Sequence, residues 1–260
     1  MEFLDQLHRT LNFKTPPSRI VSLVPSQTEL LVDLGLEEQL VGVTKFCVHP
    51  RHLRSEKLVV GGTKSVKYDK IKTLNPDIII CNKEENTKEM VLQLEKIAPV
   101  WISDVDTIAD SIAMIDELGR IFDVSDKAEA INTQIRLEIQ NFQKFIKNQP
   151  KRKALYLIWK DPYMAAGRAT FINEMLRLNN FENSIATPKS RYPEVKTADF
   201  KNVDLVLLST EPYPFKEEHV LNMQGEIDAE VRLVDGEYFS WYGSRLQKAF
   251  KYFKSLHEKQ

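Results

Sequence analysis

Asn75-Pro76-Asp77-Ile78-Ile79-Ile80-Cys81 decides the fold, because the chain repeats it at Val203-Asp204-Leu205-Val206-Leu207-Leu208-Ser209. In each stretch the strand opens on Asp and continues as an apolar run, the pattern of a strand buried on both faces of a parallel sheet. A short amphipathic segment precedes each one, Val66-Lys67-Tyr68-Asp69-Lys70-Ile71 in the first copy and Val195-Lys196-Thr197-Ala198-Asp199-Phe200 in the second. A second pair matches too. Ser26-Gln27-Thr28-Glu29-Leu30-Leu31 and Thr170-Phe171-Ile172-Asn173-Glu174-Met175-Leu176 each open a helix just after a strand-like run. Two similar α/β units predict two lobes, and a cleft between lobes is where small ligands usually bind.

Working outward, residues 20–24, 40–43, 78–81 and 100–102 read as strands of the first unit. Ser26 with Glu29 has the spacing of a capping box, Gly35 is a helix stop, and Asn86 with Glu89 reads as a second helix start. From 107 the period changes to that of helices, first over 107–122 and then over 126–148, where Ala128, Ile131, Ile135, Ile139, Phe142 and Phe145 recur without Gly or Pro. At 1.5 Å per residue the second helix extends roughly 30–35 Å, enough to bridge two lobes, and Pro150 ends it. The second unit reads as a strand at 154–158, a helix at 170–178, a loop at 184–193, strands at 204–208 and 231–234, and an amphipathic helix at 245–257. The expected domains are therefore 1–125, an interlobe helix at 126–148, and 149–260. Lys248, Lys251 and Lys254 on the last helix read as a solvated face.

With 260 residues, 42% of them hydrophobic, the chain can bury a sizeable core. Its 36 Lys and Arg nearly cancel 37 Asp and Glu, which argues against a nucleic-acid binder. No apolar run approaches the roughly 18 residues of a membrane span. Cys47 and Cys81 are the only cysteines, too few for a disulfide scaffold, and read as free thiols. The first 19 residues carry Glu2, Asp5, His8, Arg9 and Lys14 and no apolar core, so they are not a signal peptide. Two locations stay open: a cytoplasmic protein, or one seen after trimming.

The chemistry-bearing residues gather in loops beyond strand ends, where ligands sit in open parallel sheets. One loop holds Phe46, Cys47, His49 and His52, and another holds Trp159, Asp161, Pro162 and Tyr163. A third runs Ser190-Arg191-Tyr192-Pro193-Glu194, and a fourth carries Glu237 to Tyr242 and Arg245, with Trp241 among them. Aromatics offer large flat area with a polar tip, which suits a bulky, partly polar ligand. Taken singly, each also reads as a loop anchor. Cys47-x-His49-x-x-His52 invites a metal reading, but no second cluster has ligand spacing, so no protein-only metal site is expected; His49 touching a metal inside a chelate ligand fits better. No Gly-x-Gly-x-x-Gly or P-loop is present, and a Cys47–His49 thiolate pair is the one candidate for catalysis.

Arg19 to Leu31 (RIVSLVPSQTELL), Gly61-Gly62-Thr63, Asn75-Pro76-Asp77 and Ala166-Gly167-Arg168 resemble the helical-backbone solute receptors of ABC importers, the binding proteins for cobalamin, ferric siderophores and haem. The likeness runs from about 19 to 256 and is closest to the cobalamin type. It implies two α/β lobes joined by one long interlobe helix, matching 126–148, and an extracytoplasmic, non-catalytic monomer with no intrinsic cofactor. By position, the family's ligand-stacking aromatics fall on Phe46, Tyr163 and Tyr192, with Trp241 a further cleft position. His49, Trp159 and Tyr242 complete the expected ligand set. The family docks on arginines of its permease through an acid on each lobe. Asp69 matches in the first; in the second the position is Ala198, with Asp199 and Glu194 nearby. A tryptophan typical of the cobalamin receptor's cleft is replaced by Thr63 or Lys64. The leading expectation is a receptor for a corrinoid or iron chelate. Its rivals are a cytoplasmic carrier on the same fold and a Cys47-dependent enzyme.

Overall fold

In the computed structural model, which describes residues 1–185 and 190–258, Asp77 and Asp204 hold the same place in two separate sheets. The Asp77 N–H donates to the Arg19 carbonyl while its carboxylate accepts from the Arg19 N–H, and Asp204 makes the same two bonds with Lys153. Two residues before each aspartate stands an Asn in the left-handed region, Asn75 at φ 44° and Asn202 at φ 61°. Asn tolerates that conformation better than other residues with a Cβ. The duplication thus reaches individual hydrogen bonds.

The chain divides into two units, the first taking Met1–Val105, Ala109–Arg136 and Tyr242–Arg245, the second taking Asp106–Ile108, Leu137–Trp241 and the residues from Leu246 on. In chain order the elements begin with β1 (Glu2–Leu4), β2 (Thr10–Asn12), β3 (Ile20–Ser22), α1 (Pro25–Asp33), β4 (Leu40–Val43), α2 (Leu53–Glu56) and β5 (Leu58–Val59). They continue with α3 (Tyr68–Thr73), β6 (Ile78–Asn82), α4 (Lys88–Leu94), β7 (Val100–Ser103), α5 (Ile108–Ile121) and α6 (Ser125–Ile146). The sheet of the first unit has the order β5-β4-β3-β6-β7, with every pairing parallel. All five residues of β6 are buried, as its apolar run requires. Val21, Ile79, Cys81, Val100 and Ile102 pack with Met90 and Leu94 of α4.

The second unit follows with β8 (Arg152–Trp159), β9 (Met164–Ala165), α7 (Phe171–Leu178), β10 (Phe181–Asn183), a 3-10 turn (Thr197–Phe200), β11 (Leu205–Ser209), α8 (Glu217–Gln224), β12 (Glu230–Val234), α9 (Glu237–Ser240) and α10 (Leu246–Glu258). Its order is β10-β8-β11-β12, all parallel, with β9 added antiparallel to β8. That is the β4-β3-β6-β7 order of the first unit over again. In the same unit, Phe142 of α6 meets Phe250, Phe253 and His257 of α10, and His257 stacks on Phe181 with centroids 5.2 Å apart.

The long helix is as expected: α6 runs unbroken for 22 residues, about 33 Å at 1.5 Å per residue, with Ser125–Arg136 in the first unit and the rest in the second. Two capping expectations are corrected. Pro25 takes the first position of α1 with Val24 before it and no side-chain cap, and Glu29 turns to Arg245 instead. At α4 the cap is Thr87, whose hydroxyl accepts from the Met90 N–H, while Asn86 bonds the Asn82 N–H and the Thr63 carbonyl. Part of the expected loop at 184–193, residues 186–189, lies outside the described residues.

Candidate functional site

In each unit the polar loops follow the C-terminal ends of the parallel strands, the edge at which such sheets present ligand-binding groups. In the first unit, Phe46 stands after β4 with 48% of its surface exposed. Its ring lies over the Gly61-Gly62 turn, where a Cβ on Gly62 would come within 3.2 Å of Phe46 Cε2, and Lys45 Nζ sits 4.9 Å from the ring centre. His49, half-exposed, precedes Pro50 in the same loop. The loop is pinned by Cys47, fully buried, whose Sγ lies 3.1 Å from Thr28 Oγ1 and 3.2 Å from Thr44 Oγ1. Burial pushes the Cys47 thiol up against the pull of those hydroxyls, so no thiolate is available at neutral pH. Cys47, the one candidate nucleophile, is a buried structural thiol, and Cys81 is likewise buried and free.

The neighbouring strand ends carry a polar network that the sequence reading missed. Gln27 Nε2 donates to Ser103 Oγ and, at 3.2 Å, to the Tyr242 hydroxyl; Asn82 Nδ2 donates to Ser103 Oγ at 2.9 Å. Lys64 Nζ donates to the Glu84 carbonyl. Beside it, burial pushes the Glu85 carboxyl up while Lys64 draws it down. Tyr242 is 7% exposed and its phenol is pushed well up by burial, with Glu85 adding to the effect. Although it lies in the loop between α9 and α10, its ring is packed into the first unit.

In the second unit, Tyr163 and Tyr192 are carried on one ribbon. The Val195 N–H donates to the Tyr163 carbonyl, the Ala165 N–H to Pro193 and the Gly167 N–H to Arg191, so 163–167 and 191–195 run antiparallel. Gly167 permits the approach, since a Cβ there would meet the Ser190 and Arg191 carbonyls at 2.8 and 2.9 Å. Both tyrosines are half-buried, and Tyr163 rests edge-on against Phe200 at 5.9 Å. Trp159, 42% exposed at the end of β8, meets Tyr213 edge-on at 5.7 Å. Trp241 differs: it is 8% exposed and its Nε1 donates to Glu211 Oε1 at 2.9 Å. Glu211 and Tyr213 follow the end of β11, in a loop (Glu211-Pro212-Tyr213-Pro214-Phe215) that was not among those expected to bind.

The Cys47-x-His49-x-x-His52 motif does not gather around one point. Cys47 is enclosed by threonines, while His52 Nε2 lies 2.6 Å from Glu37 Oε1, which holds the imidazole's proton more tightly than usual. Of the acidic docking candidates, Asp69 stands in the first turn of α3 with its side chain 99% exposed and Lys72 Nζ at 3.5 Å. Glu194 is exposed on the tyrosine ribbon. Asp199 is half-exposed, and its carboxylate accepts from the Lys196 N–H at 2.7 Å to close the 3-10 turn.

These features, parallel sheets with aromatic loops at their C-terminal edges and one continuous linking helix, coincide with a known family. The model of the family described as "Periplasmic binding protein" matches residues 20–219. The chain belongs to that family. The family consists of solute-binding proteins rather than enzymes. Among similar proteins, an uncharacterised ABC transporter substrate-binding lipoprotein, YvrC of Bacillus subtilis, is 25% identical over 190 residues, covering 70% of this chain and 60% of that one. A vitamin B12-binding protein of Vibrio parahaemolyticus is 23% identical over 181 residues, covering 69% of this chain and 66% of that one. The matches thus span under two thirds of those relatives. Among solved structures, a periplasmic heme-binding protein of Pseudomonas aeruginosa shares the fold, with a TM-score of 0.81 at 21% identity over 93% of this chain and 92% of that one. Among the described residues of this family member, no helix is long and apolar enough to cross a membrane.

Proposed function

We propose that the chain is an extracytoplasmic, non-catalytic solute receptor that binds a corrinoid or an iron chelate, siderophore or haem, and delivers it to an ABC importer. The observation that carries this reading is the set of aromatics at the strand ends of a periplasmic binding protein. Phe46 and Trp159 are exposed, and Tyr163 and Tyr192 are half-exposed on a ribbon built by backbone hydrogen bonds. A rigid ring already held by its own loop loses little freedom when a flat ligand covers it, so most of its buried area counts toward affinity. Named relatives that bind vitamin B12 or heme support the choice of a metal-bearing ligand. His49 is placed in the same loop as Phe46, where an imidazole can reach a chelated metal. Trp241 and Tyr242 act from behind, as supports for the loops.

Asp69 and Glu194 are the carboxylates that meet the permease, because both are exposed while Asp199 is committed to its own turn. The test is a thermal-shift and native mass-spectrometry screen with cyanocobalamin, haemin and several ferric siderophores. One of these classes is expected to bind, and Tyr163→Ala or Tyr192→Ala should weaken that ligand about tenfold, or about 1.4 kcal/mol. Failure of every class to bind, or unchanged affinity in both tyrosine variants, would overturn the reading.

A further inference from the structure

We propose that Glu37, His52 and Glu56 form a binding site for a divalent transition-metal ion of the zinc type, independent of the solute reading above. One ligand atom from each of the three lies within 4.8 Å of the other two. Glu37 lies in the turn just before β4, and α2 ends in Glu56 just before β5. The cluster therefore sits at the N-terminal ends of these two parallel strands, the edge opposite the aromatic loops. His52 precedes α2 with φ −72° and ψ −25°, so it continues the helical backbone, and its spacing of four from Glu56 puts both side chains on one face. Glu37 comes to that face from the turn after α1, with its Oε1 2.6 Å from His52 Nε2.

Zinc takes nitrogen and oxygen ligands at about 2.0–2.2 Å in a tetrahedron, which sets donor atoms roughly 3.3–3.6 Å apart. Reaching that spacing requires the 2.6 Å His52–Glu37 contact to open, while no pair of the three starts more than 4.8 Å apart. The side chains are free enough to do so, His52 being 47% and Glu37 30% exposed. Glu56 is exposed as well. One imidazole with two carboxylates is the donor set of a borderline ion; calcium and magnesium prefer six or more oxygens. Two carboxylates supply the charge to hold a dication. Lys57 beside Glu56 opposes it, and Arg54 of α2 is engaged with the Lys45 carbonyl at 3.0 Å. Water would fill the fourth position. Such an ion ties the turn before β4 to the helix that leads directly into β5, the edge strand of the sheet. Its role is a structural staple on a strand only two residues long.

The experiment uses the full chain, stripped with a chelator and titrated with zinc chloride by calorimetry. The wild type should bind one equivalent, and His52→Ala should weaken it at least tenfold while far-UV circular dichroism stays unchanged. Glu56→Gln, at an exposed helix end, carries the same test should His52→Ala disturb folding. Cobalt loaded into the wild type should give the visible absorption of a four-coordinate ion, lost in His52→Ala. Zinc should also raise the melting temperature of the wild type and not of that variant. Absence of zinc binding in the wild type, or equal binding in His52→Ala and Glu56→Gln, would overturn the proposal.

Discussion

Arg245 and Glu29 form a bidentate ion pair, 2.8 and 3.0 Å, with side chains only 7% and 9% exposed. Breaking such a pair costs more than the pair itself contributes, because a carboxylate is left in a site that water does not reach. Arg245→Met should therefore destabilise the first unit by about 3–5 kcal/mol, and adding Glu29→Gln should restore part of the loss. Urea unfolding followed by tryptophan fluorescence, with Trp101 buried in that unit, measures both. At this scale the sequence was half legible. It showed that the loops are dense in aromatics, which drew attention to Phe46, Trp159, Tyr163 and Tyr192. It did not show that Trp241 and Tyr242 turn inward, because that depends on partners far along the chain: Glu211 for one and Gln27 for the other. The same limit hid Gln27, Glu85 and Glu211, polar residues that matter through contacts no local pattern encodes. Cys47 beside His49 was the one candidate for catalysis, and the enclosing threonines, one of them Thr28 from a different element, show it to be a packed thiol.

Strands were the most legible elements, since β6 and β11 are interior and buried throughout, and so apolar at every position but the last. The hairpin of β1 and β2 escaped because each strand has three residues with a single buried one, Phe3 or Leu11, which leaves no periodicity to read. What the sequence could not convey is why each apolar run opens on Asp. The carboxylate of Asp77 accepts from the Ser18 N–H and hydroxyl and from the Arg19 N–H at 2.9–3.0 Å, tying β6 to the start of β3. Partial burial pushes its carboxyl up, and these donors outweigh that and hold it below the ordinary value. A folded-state value below the unfolded one means stability that is present above about pH 4 and is lost as pH falls through the folded value. Asp77→Asn should therefore flatten the acid limb of the stability curve, and Asp204→Ala should cost about 1–2 kcal/mol through loss of the Lys153 bond. Chemical denaturation at a series of pH values checks both; an unchanged acid limb in Asp77→Asn would show that the repeated aspartates do no more than end a turn.

For the molecule as a whole, one pH response stands out. His257, packed against Phe181 and Phe142 with Nε2 3.2 Å from Asn179 Oδ1, is held down to about 4 by burial, with Arg232 and Arg152 adding to it. The folded state binds this proton less readily than the unfolded chain, so the neutral ring's contribution is complete above pH 6.5 and declines as pH falls toward about 4. The second unit should lose stability across that window, and His257→Gln should remove the dependence; thermal melts from pH 7.5 to 4.5 make the comparison. If an importer is the partner, Asp69→Lys should lower uptake in a reconstituted system and leave ligand affinity unchanged, and a loss of affinity would place Asp69 in the binding site instead. The division of the chain carries a further consequence for how the protein is made. Four residues of the first unit, Tyr242 to Arg245, follow β12 in the chain, so they leave the ribosome after every strand of the second unit has been synthesised. The unit that is translated first therefore stays incomplete until every strand of the second has been made. Until then Glu29 lacks its guanidinium and the Gln27–Ser103 network lacks its phenol, and an open, incomplete domain is the species that chaperones meet. A stop codon between 137 and 241 would thus injure the amino-terminal half of the fold while leaving every one of its strands encoded.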